Sequence, residues 1–155
     1  VVVAVESSLE KGSRVVWFDP AGTPVARGDW VGTPHRWISL VGTVTTPRRE
    51  QPAEVFTLSI DRPHLRGDLL LLERRGARLR STVLARGLSN HRLGAADTLG
   101  GARSCPGVKN SFVLATLDWS AVVRIEVDPV NRSARETARF AGTGPESFAA
   151  AMACD

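Results

Sequence analysis

The sequence predicts an all-β protein, and three observations carry that expectation. Its longest apolar runs, Val1–Val5 and Leu69–Leu72, are strand-sized and end in charge. Within the strand-like segments, apolar residues recur at every second position, the period of a strand with one buried face. The pattern then repeats at intervals of 55 residues, marked by Gly32, Gly87 and Gly142, and a fixed period of this size signals a repeat architecture.

The glycines open similar segments, Gly32-Thr33-Pro34-His35-Arg36-Trp37 and Gly87-Leu88-Ser89-Asn90-His91-Arg92, with Gly142-Thr143-Gly144-Pro145-Glu146-Ser147 a weaker copy. The same offset relates Val15 and Trp17 to Leu70 and Leu72, then to Ile125 and Val127. It also relates Val3 and Val5 to Leu58 and Ile60, then to Val113 and Ala115; after the glycines it relates Ile38, Leu93 and Phe148. Three repeats follow, at about 1–45, 46–100 and 101–155, within one domain.

Each repeat reads as four short antiparallel strands. The first strands are Val1–Val5, Val55–Ile60 and Ser111–Leu117, followed by acidic connections at Glu6, Asp61 and Asp118. The second strands are Arg14–Phe18, Asp68–Glu73 and Val122–Val127. They end in turns with the expected chemistry, Asp19-Pro20-Ala21-Gly22, Arg74-Arg75-Gly76-Ala77 and Asp128-Pro129-Val130-Asn131. Third strands return over Val25–Gly28, Leu79–Arg86 and Ala134–Phe140, and short fourth strands lie near Trp37–Val41 and His91–Leu93. The last repeat departs: Pro145–Met152 predicts a terminal helix. Four antiparallel strands per repeat describe a β-propeller blade, and three such units in this length equally describe a β-trefoil.

With 43% hydrophobic and 23% charged residues the composition is that of a folded chain. No segment approaches the roughly 18 consecutive apolar residues of a membrane span. The chain opens on Val1 inside a strand-like stretch, without a charged leader, so upstream residues are expected. The net charge of +4 does not call for nucleic acid. The arginines scatter across all three repeats, their densest group (Arg74, Arg75, Arg78, Arg80) lies on a hairpin turn, and no nucleic-acid-binding motif accompanies them. Cys105 and Cys154 lack metal or redox spacing, so a single disulfide closing a loop of about 50 residues is expected, pointing to an oxidising compartment.

The segments Val1–Glu6, Gly12–Trp17 and Gly32–Val41, with Gly87–Gly94, Gly100–Cys105, Gly144–Phe148 and Cys154, resemble bacterial FG-GAP/VCBS-type repeat proteins, in particular an exported alphaproteobacterial group. The resemblance covers nearly the whole chain and implies blades of an integrin-like β-propeller, in a partial or incomplete ring, in a periplasmic or secreted protein. It departs from the family at the Asp-x-Asp-x-Asp-Gly calcium loop. The corresponding stretches, Thr43–Glu50 and Ala95–Gly101, hold one carboxylate each, against the six to eight oxygens a calcium ion takes. Calcium is therefore not expected, nor any other metal or cofactor.

The candidate binding residues are Trp30, His35, Arg36, Trp37, Asn90, His91 and Arg92. The His-Arg pairs recur in successive repeats, which favours turn-holding roles over a unique active site. Trp30, after Gly28-Asp29, is the best candidate for an exposed binding aromatic, and His64, with no partner in sequence, is expected to be exposed. No catalytic residues are assigned: there is no Gly-x-Ser-x-Gly elbow and no phosphate-binding loop. The expected function is a non-enzymatic exported binding or scaffold module, an accessory subunit contacting other proteins of an envelope or membrane complex. The alternative is a glycan-binding or glycan-cleaving protein using acids such as Asp118 with the tryptophans.

Overall fold

The alternating segments become strands. The computed structural model describes residues 1–32, 37–46 and 53–154, which hold twelve strands and one helix. The strands are β1 (Val2–Ser8), β2 (Gly12–Phe18), β3 (Pro24–Arg27), β4 (Ile38–Thr45), β5 (Val55–Asp61), β6 (Asp68–Arg75), β7 (Arg78–Ala85), β8 (Leu88–Ser89), β9 (Gly101–Cys105), β10 (Val108–Thr116), β11 (Ala121–Asp128) and β12 (Ser133–Ala141). The helix α1 spans Pro145–Met152 at the C-terminal end, where the sequence predicts it. Among the described residues the protein is all-β apart from this helix.

Antiparallel meanders account for most of the pairing. β1-β2-β3 and β4-β5-β6-β7 meet through a parallel bridge between Arg27 and Arg78, giving a seven-stranded sheet in the order β1-β2-β3-β7-β6-β5-β4. This sheet curls until β4 approaches β1 and β2, so it is nearly closed. The second sheet, β12-β11-β10-β8 with β9 also on β10, forms a half-barrel. Asn110 staples the two: its amide donates to the Thr45 carbonyl at 2.9 Å and its Oδ1 accepts from the Thr45 N–H at 3.1 Å.

Strand period 2 explains the core. Val15 and Trp17 pack with Leu70, Leu72 and Leu79 inside the curled sheet. The intervening residues, Leu69 and Leu71, face the other way, onto Phe112, Leu114, Val123, Ile125 and Val127 of the second sheet. Leu69–Leu72 is thus apolar at every position because β6 is buried on both faces, not on one as alternation alone predicts. Val113 and Val122, on the far face of the second sheet, lie under Phe148, Ala151 and Met152 of α1 and beside Phe140.

The Cys105–Cys154 disulfide exists, with Cα atoms 5.6 Å apart, and ties the end of α1 to β9. Two buried arginines reinforce it. Arg124 donates to the carbonyls of Ala151, Ala150 and Ala153, and Arg103 to that of Ala153, where a helix C-terminus leaves unsatisfied acceptors.

Two sequence expectations need correction. The fourth strand near His91–Leu93 is displaced to Leu88–Ser89, because the Ser89 hydroxyl bonds the backbone of His91 and turns the chain. β9 has no forerunner in the sequence reading, since Gly101–Cys105 lacks an apolar alternation; pairing with β10 supplies its order. The breaker-rich stretch 47–52 lies outside the described residues.

Candidate functional site

Turns at one end of the curled sheet line an open cavity of about 720 Å³. The β1–β2 turn supplies Ser7, Ser8 and Leu9; Trp37 stands just before β4; the β5–β6 connection supplies His64 and Leu65; and Leu93 comes from the segment after β8. Leu9, Leu65 and Leu93 are 81%, 62% and 80% exposed. Apolar side chains gathered around one concavity mark a binding surface, whereas scattered exposed leucines need no explanation.

Backbone contacts fix Trp37. Its N–H donates to the Ser13 hydroxyl at 2.8 Å, and its carbonyl accepts from the Arg62 N–H at 2.6 Å. Three elements thus converge behind the indole, whose buried Nε1–H finds no acceptor among the described residues.

His64 is half-buried and bonded, contrary to the sequence expectation of an exposed, unpartnered ring. Its Nε2 lies 3.0 Å from Nδ1 of His91, and Nε2 of His91 lies 3.1 Å from the Ala95 carbonyl. A carbonyl only accepts, so His91 carries its hydrogen on Nε2 and its Nδ1 accepts from His64. Burial, then the neighbouring His91, push the pKa of His64 below the usual 6.5.

The remaining candidates spread over the molecule. Asn90 is buried beside His91, with its amide on the Leu40 carbonyl at 3.0 Å, a role in holding β4. Arg92 lies over the Trp119 ring at 4.9 Å, and Arg14 over Trp30 at 4.4 Å while pairing with Glu6. Trp30 is therefore half-covered, not an open aromatic platform. His35 and Arg36 lie outside the described residues. Of the predicted set, Trp37 lines the cavity and His91 reaches it through His64.

The acids recurring at strand ends are engaged locally. Asp118 Oδ1 accepts from the Thr116 hydroxyl and from the hydroxyl and N–H of Ser120, which lowers its pKa from 3.8 to about 2. Asp61 forms a two-point pair with Arg62. A carboxylate held as low as that of Asp118 stays ionised and makes a poor general acid near neutral pH. Among the described residues no three His, Cys, Asp or Glu side chains converge as metal ligands, and no helix is long and apolar enough to cross a membrane.

Sequence reasoning missed Leu9, Leu65 and Leu93. The available signal was a lone leucine inside polar turn chemistry, as in Ser7-Ser8-Leu9-Glu10-Lys11 and Pro63-His64-Leu65-Arg66-Gly67. Comparison with known proteins adds no relative to this geometry: no family model, no curated protein and no solved structure matches the chain.

Proposed function

We propose that this chain is a non-enzymatic binding module, exported to the periplasm or secreted, which serves as an accessory subunit by seating an apolar side chain of a protein partner between Leu9, Trp37, Leu65 and Leu93. The single observation that carries this reading is the apolar mouth of the cavity, three exposed leucines over a tryptophan held from behind by backbone bonds. Anchor residues in such pockets dominate the energetics of protein interfaces. The charged neighbours of these leucines are Lys11, Arg66 and Arg92 against Glu10, with Arg66 paired to Asp68, a small positive excess that favours an anchor flanked by acidic groups. The disulfide supports export, as such bonds persist in oxidising compartments.

The strand offsets support a three-repeat reading of the fold: β1-β2-β3, β5-β6-β7 and β10-β11-β12 are successive meanders at matching offsets. The first two join edge to edge through Arg27 and Arg78 into one nearly closed sheet, and the third lays its apolar face on that sheet, an arrangement closer to a barrel than to propeller blades, each of which is a sheet of its own.

A photo-crosslinking residue placed at position 65 or 93, with position 130 on the β11–β12 turn as control, tests the site in cells of the source organism. The expected result is one shared protein adduct at 65 and 93, absent at 130 and lost when Leu9→Asp is added. Equal labelling at all three positions, or no protein adduct at any, would overturn the proposal.

A further inference from the structure

We propose that the His64–His91 pair is a proton-operated latch on the cavity wall, closed at neutral pH and released in acid. As regulation this rests on the docking reading above; as a motion it stands without a partner.

The hydrogen bond itself limits how many protons the pair can hold. Its bridging hydrogen sits on Nε2 of His64, and the only lone pair facing it is Nδ1 of His91, because Nε2 of His91 is committed to the Ala95 carbonyl. One added proton can be taken on the outer Nδ1 of His64 with the bond intact. A second must go to Nδ1 of His91, placing two N–H donors face to face at 3.0 Å between two cations. The rings then separate.

Each ring belongs to a connection that the pair helps to hold. His64 lies in the β5–β6 connection, where the N–H groups of Leu65, Arg66 and Gly67 all bond the Arg62 carbonyl, and His91 opens the 91–98 segment that carries Leu93, so their separation frees Leu93 while Leu65 stays in place. Among the described residues the other ties of the 91–98 segment lie at its two ends and at Arg92: the Ser89 hydroxyl on the His91 backbone, the Thr98 bridge to His91 with the Leu99 N–H on the Asn90 carbonyl, the Ala95 N–H on the Arg92 carbonyl, and Arg92 on Trp119 and the Thr143 hydroxyl.

The surrounding charges do not replace the latch. On the His64 side Asp61 pairs with Arg62, and Asp68 with Arg66 and Arg86. Across the cavity Glu6 pairs with Arg14, while Glu10 and Lys11 are exposed in the β1–β2 turn. On the His91 side Arg92 and Asp97 are exposed. His35 and Arg36, which precede Trp37, lie outside the described residues, so His35→Gln serves as a control. Burial disfavours the charged form of His64, so release falls below the ordinary histidine range.

Hydrogen exchange of the partner-free protein, corrected for the intrinsic pH dependence of exchange, tests the motion. Between about pH 7 and about pH 4, a window that extends below the ordinary histidine range, amides of 91–98 should gain about tenfold in exchange while β5 and β6 stay protected. The gain should vanish in the His64→Gln/His91→Gln double variant and persist in His35→Gln. A gain that survives in the double variant, or its absence in the wild type, overturns the latch. Crosslinking at 65 and 93 repeated at both pH values separates the two ideas: failure to find a partner sinks the docking reading alone, and exchange that does not respond sinks the latch alone.

Discussion

Gly67 and Gly76 have almost the same left-handed backbone, at φ +60° and +61°, in very different surroundings. A Cβ on Gly67 would lie 2.1 Å from the Leu88 carbonyl oxygen, where the Leu88 N–H bonds the Gly67 carbonyl and ties the β5–β6 connection to β8, whereas one on Gly76 meets nothing within 4 Å. Gly76→Ala should lose only the left-handed penalty, roughly 1–2 kcal/mol. Gly67→Ala must also displace β8 and should lose clearly more, as denaturant unfolding of the two variants will show. A second residue-scale prediction concerns acid. The folded pKa of Asp118 is depressed to about 2, so its stabilisation is fully present above the unfolded value of 3.8 and is lost as pH falls from there through about 2. Asp118→Asn should flatten that part of the stability profile, measured as Tm against pH; an unchanged acid limb would assign the loss to other groups, with Asp128, also lowered by its turn, the next to substitute.

At the scale of elements, α1 is held by means that an eight-residue helix cannot provide itself. Its apolar face covers Val113 and Val122, two buried arginines bind its terminal carbonyls, and the disulfide anchors its end. Closing a loop of this length contributes about 4 kcal/mol on the chain-entropy model. Cys105→Ser/Cys154→Ser should therefore lose about 2–4 kcal/mol of global stability. Because Arg103 and Arg124 remain, the helix should stay docked, with exchange rising in α1 and β9 before the other strands. Loss of α1 from the fold in this variant would show that the arginine contacts are too weak to seat it.

For the whole molecule, the decisive feature is that the seven-stranded sheet has two apolar sides. Leu58, Ile60, Leu69 and Leu71 are fully buried, and their cover is the second sheet. A fragment of residues 1–100 would leave that face in water while keeping the backbone entropy cost of seven strands. It should show poorly dispersed amide resonances and no cooperative unfolding transition. A dispersed, cooperatively unfolding fragment would instead establish the curled sheet as a unit able to fold alone.

Much of this architecture was legible locally. Alternation at Val15/Trp17, Leu70/Leu72 and Ile125/Val127 placed the second strand of each meander, because a strand exposes its burial pattern at a period of two. Asp19 and Asp128 marked turns because their carboxylates bond the backbone a few residues on. Gly144-Pro145 marked the start of α1 because proline suits the first helical turn. What tertiary structure alone decided is long-range. Nothing within Leu69–Leu72 says that its two faces meet different layers, and no local pattern pairs Arg27 with Arg78 or His64 with His91. The cavity has the same origin: its walls are turns far apart in sequence, brought together by the curl of the sheet. Local propensity and periodicity determine where strands begin and end; which strands, turns and side chains meet is set by burying the most apolar surface at once, a property of the whole chain.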